Sequence, residues 1–95
     1  MKLADVHPEE KVLSLKSLFK GEDGQLIAIK IKSEEELKEH ITQNTALLIC
    51  ITGEVLYSES TGLTQILKTG DYLEIPRLVP HKLNAIQDSE LLLFK

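Results

Sequence analysis

The stretch G-D-Y-L-E-I-P-R-L-V-P-H-K-L-N-A, Gly70 to Ala85, decides the fold. It holds two short runs, Y-L-E-I and H-K-L-N-A, in which apolar residues alternate with polar ones as in half-buried strands. Between them P-R-L-V-P supplies two prolines, which remove backbone donors and so end one strand before the next begins. His81 follows the second proline directly. An imidazole there can serve as a metal ligand, a general base, or a rim residue that caps a free backbone group.

Outward from this stretch the chain repeats the same grammar. Upstream, A-L-L-I-C-I-T from Ala46 is a fully apolar run ended by Gly53, which predicts a buried central strand. E-V-L-Y-S-E follows, then the turn S-T-G at Ser60 to Gly62, then T-Q-I-L-K-T ended by Gly70 and Asp71. Nearer the start, Val12 to Lys20 and Q-L-I-A-I-K-I-K flank the turn signal G-E-D-G, and Ile27, Ile29 and Ile31 share one strand face by the period of two. A hairpin is predicted there. L-L-L-F closes the series. Short strands with turn signals every eight to twelve residues predict an all-β barrel or sandwich, with more than about 40% of residues in strands against the usual 20–25%.

One segment carries conflicting local signals. In S-E-E-E-L-K-E-H, Ser33 to His40, Ser33 and Glu36 have capping-box spacing and the Glu and Lys content favours helix. Beside its neighbours, the same segment reads as a polar loop leading into an extended stretch that carries His40 and Thr42. Both readings stand at this level. The three adjacent glutamates are most simply a solvated run, and His7, in V-H-P-E-E, belongs to a turn opened by Pro8 with no function assigned to it.

Composition sets the remaining limits. A chain of 95 residues makes one domain, residues 1–95, and buries only roughly 60–65% of the surface its unfolded form exposes. With no tryptophan, two Tyr and two Phe, the core must come from Leu, Ile and Val. Pairing into a homodimer would add the burial that such a core lacks. Eleven Lys and Arg against fifteen Asp and Glu give a formal charge of −4 without a basic cluster, so nucleic acid is not an expected partner. No apolar run reaches the ~18–20 residues of a membrane span or suits a signal peptide. The single Cys50 allows neither an internal disulfide nor a cysteine-based zinc site, which predicts a reducing, cytoplasmic setting.

The spacing Gly70, Pro76, His81 resembles the second conserved motif of the cupin superfamily, G-x5-P-x-G-x2-H-x3-N. Leu78 replaces its second glycine and Ala85 its asparagine, with Asn84 one place early. The first cupin motif, G-x5-H-x-H-x3-4-E-x6-G, aligns back from Gly53. Ala46 then falls at the glutamate, Thr42 at the second histidine, His40 at the first and Glu34 at the leading glycine. The resemblance runs from about residue 27 to residue 95 and implies a small single-domain cupin. Such a protein is a six- to eight-stranded double-stranded β-helix, or jelly-roll, barrel, usually dimeric, with a pocket at its mouth.

What the resemblance implies about chemistry is narrower. Cupin metal sites generally use three histidines and the glutamate, of which only His40 and His81 remain. Thr42 and Ala46 offer no strong donor, and Gln43 or Glu39 could add an oxygen only through a bent loop. No cofactor is expected beyond a weakly bound divalent transition metal on His40 and His81. The residues expected to bind a small organic ligand are His40, Thr42 and His81 at the mouth, with Tyr57 beside them and Leu48, Cys50, Leu83 and Ala85 as apolar walls. Tyr57 and Tyr72 read most simply as core or rim residues, although some cupins resembling sugar epimerases pair a histidine base with a tyrosine acid. Three functions follow as expectations: a non-catalytic small-ligand-binding or sensing protein, a metal-dependent dioxygenase or isomerase with an atypical ligand set, and a structural dimerisation module.

Overall fold

A computed structural model describes all 95 residues, of which 56% lie in strands. After a 3₁₀ turn at Leu3–Asp5, nine strands follow: β1 Leu13–Lys20, β2 Gln25–Ile31, β3 Glu36–His40, β4 Ala46–Thr52, β5 Glu54–Glu59, β6 Thr64–Lys68, β7 Tyr72–Ile75, β8 His81–Ala85 and β9 Ser89–Phe94. The count is one more than the six to eight expected. They form a five-stranded sheet, in the order β1-β2-β9-β4-β7, and a four-stranded sheet, in the order β3-β8-β5-β6. All pairings are antiparallel. Two such sheets joined by crossovers make a jelly roll, and the protein has the double-stranded β-helix fold.

Alternation builds the core. Ile27, Ile29 and Ile31 of β2 point inward, as do Ala46, Leu48 and Cys50 of β4, Val55 and Tyr57 of β5, and Leu91 and Leu93 of β9. Removing this apolar area from water, at roughly 25 cal/mol per Å², is the main force holding the sheets together. The predicted β1–β2 hairpin is present, with Leu13 opposite Ile31 and Lys20 opposite Gln25. The apolar run from Ala46 is an interior strand between β9 and β7. Its other face, Leu47, Ile49 and Ile51, is only half-buried.

The ambiguous segment resolves as a turn at Ser33 and Glu34 that leads into strand β3. Ser33 caps no helix: its amide donates to Asp88 Oδ1 at 2.8 Å and its hydroxyl to the Ile86 carbonyl at 3.1 Å. Glu34 has φ 71°, which breaks any helix at its second residue. β3 then pairs with β8, placing Glu36 opposite Asn84 and Leu37 opposite Leu83, and Asn84 Nδ2 donates to Glu36 Oε2 at 3.1 Å. Partners as far as 55 positions away in the chain outweigh a local helix preference of about a few tenths of a kcal/mol per residue.

Only two non-glycine residues have positive φ, Glu34 (71°) and Leu78 (62°). They are the two motif glycine positions that this sequence fills with another residue. The backbone at both takes the left-handed conformation that glycine suits best. Both side chains are exposed, so little packing is lost on their removal. Glu34→Gly and Leu78→Gly should therefore be neutral or stabilising by up to about 1 kcal/mol in urea unfolding, because relief of left-handed strain offsets the entropy glycine adds to the unfolded chain. A loss above about 1 kcal/mol in either variant would show that the bend is held by the side chain.

Candidate functional site

Strands β3 and β8 bring His40 and His81 together as cross-strand partners, 41 positions apart in the chain. Their Nε2 atoms are 3.1 Å apart, and the rings meet edge to face with centroids at 4.2 Å and an interplanar angle of 60°. Each ring is fixed from behind by its own strand. His40 Nδ1–H donates to the Lys38 carbonyl at 2.9 Å and His81 Nδ1–H to the Val79 carbonyl at 3.1 Å. A carbonyl only accepts, so both Nδ1 atoms carry the proton and both Nε2 lone pairs face each other.

Three contacts therefore need three protons, and two neutral imidazoles hold two. The middle contact is satisfied only if the pair takes up a further proton or a donor group. His81 is 2% exposed, and burial, the largest influence on it, lowers its pKa below the ordinary histidine value. The Val79 carbonyl and the Glu59 carboxylate act the other way, and His40 adds to the lowering. Burial thus disfavours a third proton at His81, and with both Nδ1 protons committed to carbonyls the facing Nε2 atoms form a preorganised acceptor.

Tyr57 completes the cluster. Its ring lies nearly parallel to that of His81, at 27° with centroids 5.9 Å apart, and its hydroxyl donates to Glu59 Oε2 at 2.6 Å. Burial first, then Glu59, pushes the phenol far above its usual pKa, so Tyr57 stays a protonated donor. Glu59 also accepts from Thr61 Oγ1 at 3.2 Å. Sequence reasoning missed Glu59, although it shares a strand face with Tyr57 by the period of two.

The other expected site residues lie elsewhere. Leu48, Cys50 and Leu83 are at most 2% exposed and Ala85 is 5% exposed; all four belong to the packed core and border no cavity. Their expected role as walls of an open pocket is corrected accordingly. Burial raises the pKa of Cys50, which keeps the thiol protonated. Tyr72 is exposed, at 68%, and distant from this packing. Thr42 is buried, its Oγ1 sealed from solvent without a hydrogen-bond partner, and beside it opens a separate small hollow with Gln43 and Asn44.

The cavity that reaches His40 is a groove of about 490 Å³ between the free edges of β1 and β3. Glu36, Lys38, Glu39, His40 and Lys95 are its polar lining, and Leu13, Leu15, Ile27, Leu37 and Leu93 its apolar floor. His81 lies behind His40. Leu37 was the legible sign of this floor, being the one apolar residue in the acidic run Ser33 to His40.

The fold raises the question of a bound metal. Both imidazoles present Nε2 with Nδ1 anchored to a backbone carbonyl, as metal-binding histidines do. No group of three or more His, Cys, Asp and Glu is assembled anywhere, however, and Ala46 contributes a methyl to the core. The donor set does not fit a tightly held metal.

No protein-family model matches the chain, and no curated protein matches its sequence. Solved structures match its fold closely. A cupin superfamily protein from Desulfitobacterium hafniense DCB-2 superposes with a TM-score of 0.87 over 98% of this chain and 84% of its own, at 15% identity. An RmlC-like cupin with a double-stranded β-helix fold from Methanocaldococcus jannaschii gives 0.81 over 94% and 84%, at 20% identity. KdgF from Halomonas sp. gives 0.79 over 93% and 82%, at 17% identity. The fold is that of a small cupin domain. Likeness at these identities concerns architecture, and no helix is long and apolar enough to cross a membrane.

Proposed function

We propose that this is a non-catalytic cupin that binds a small organic acid in the groove between β1 and β3, with its carboxyl end at His40. The observation that carries the reading is the unfilled middle contact of the His40–His81 pair. A carboxylic acid brings the missing proton and leaves its carboxylate as counter-charge to the imidazolium pair that results. The groove floor suits an apolar body, and its volume falls within the range of small-molecule sites.

Such binding takes up a proton at neutral pH. Affinity should fall as pH rises through neutrality, by up to about tenfold per unit, and His81→Asn should weaken binding at least about tenfold. Calorimetric titration with straight-chain carboxylic acids, in buffers of different ionisation enthalpy, measures both the affinity and the proton uptake. Affinity that ignores pH, or survives His81→Asn unchanged, would remove this reading.

The metal-dependent enzyme is the second reading, favoured by the anchored imidazoles and opposed by the missing third ligand. Metal analysis of protein never exposed to an affinity column loaded with nickel separates the two.

The partner proposed for the outer surface is a second copy. Leu18 and Phe19 are exposed on edge strand β1, and Leu47, Ile49 and Ile51 are half-buried on the outer face of β4. A specific homodimer should bury more than ~1,000 Å² in total. Light scattering at high micromolar concentration should give twice the chain mass, and a monomer there would rule it out.

A further inference from the structure

At the ends of β2 and β9 lies a second cavity, of about 240 Å³, which shares no lining residue with the groove and differs from it in kind. Lys30, Lys32, Glu9, Asp88 and Glu90 surround it, together with His7. We propose that this hollow binds a small zwitterion of the free α-amino-acid class, its ammonium toward Asp88 and Glu90 and its carboxylate toward Lys32 and His7.

Three observations support the assignment. First, the charges are held in place by neutral backbone groups. Lys30 Nζ donates to the Pro8 and Glu9 carbonyls at 3.0 and 3.3 Å, and Asp88 Oδ1 accepts the Ser33 amide at 2.8 Å. Each group keeps its full charge for a further partner while its position is fixed, which lowers the ordering cost of binding. Second, His7 is 6% exposed, and its Nδ1 is paired with Ser14 Oγ at 2.8 Å. Its Nε2 has no partner in the protein, yet the only sealed, unpartnered polar side-chain atom in the molecule is Thr42 Oγ1. The Nε2 atom of this nine-tenths buried imidazole is therefore open to solvent, and His7 is one of the residues that line the hollow. Burial, its largest influence, lowers the pKa of His7, so the ring offers a hydrogen bond and not a charge at neutral pH.

Third, size and charge select the ligand. A hollow of about 240 Å³ is roomier than a single structural water needs. Two lysines against three carboxylates leave a balance near zero, so neither a simple anion nor a simple cation satisfies both sides. A molecule with both charges one carbon apart does. The site is separate from the His40–His81 groove and does not depend on the function proposed for it.

The test is an amide-shift NMR titration of the whole chain with the proteinogenic amino acids, and with methylammonium and acetate as half-ligands. At least one amino acid should shift the amides of Lys32 and of Asp88 to Glu90 saturably below about 10 mM, leaving those of His40 and His81 unmoved. Lys32→Met and Glu90→Gln should each weaken it at least about tenfold, while Lys82→Met, on the exposed face of β8, should not. No saturation below about 10 mM by any amino acid, equal binding of acetate or methylammonium, or indifference to both variants would overturn the assignment.

Discussion

Replacing Tyr57 by alanine is expected to cost about 3–5 kcal/mol, a large part of the 5–15 kcal/mol that holds a domain of this kind together. The ring is completely buried in the middle of β5, among the core residues that join the two sheets. It also supports His81 by lying along its face. Truncation leaves a cavity that neighbours held in pleated strands can collapse into only partly. Tyr57→Phe separates the ring from its hydroxyl. It keeps the packing and removes the donor to Glu59, which retains Thr61 and its own half-exposure to water. That variant should lose about 1–2 kcal/mol. Urea unfolding reads both values. A loss below about 1 kcal/mol for Tyr57→Ala would mean that the ring contributes nothing as a core residue.

The second large effect concerns metal. Thr42→His with Ala46→Glu restores the donors that the cupin comparison expects at those positions and should raise affinity for a divalent transition metal by at least about a hundredfold, or about 2.7 kcal/mol. The structure adds a stability signature. Ala46 is 3% exposed, so a glutamate there buries a carboxylate and destabilises the metal-free variant. Metal should reverse that loss, by about 2.7 kcal/mol at a hundred times its dissociation constant. His81→Ala in the same background should abolish both gains. Calorimetry and metal-dependent unfolding curves measure them. If the natural sequence instead retains stoichiometric metal through chelator dialysis, an oxygen ligand from Glu39, Gln43 or elsewhere completes its site, and the enzyme reading replaces the one proposed.

Much of the architecture was legible in the sequence because strand burial has a period of two that local residues record. Ile27, Ile29 and Ile31, and the run from Ala46, announced inward faces without reference to any partner. His81 was legible through the prolines that precede it, and the motif alignment marked Glu34 and Leu78 as glycine positions, whose positive φ only the structure revealed. Tertiary structure alone decided the rest. Ser33 and Glu34 became a turn and Glu36 to His40 a strand because Asp88 and β8 supplied their partners, interactions that no local window contains. Leu48, Cys50 and Leu83 became core and Leu13, Leu15 and Leu37 became groove floor, because alternation tells which side of a sheet a residue occupies but not where two sheets part. The proton deficit between His40 and His81 arose the same way: sequence places two imidazoles, while only the folded backbone, by drawing one Nδ1 proton from each to a carbonyl, leaves their lone pairs face to face.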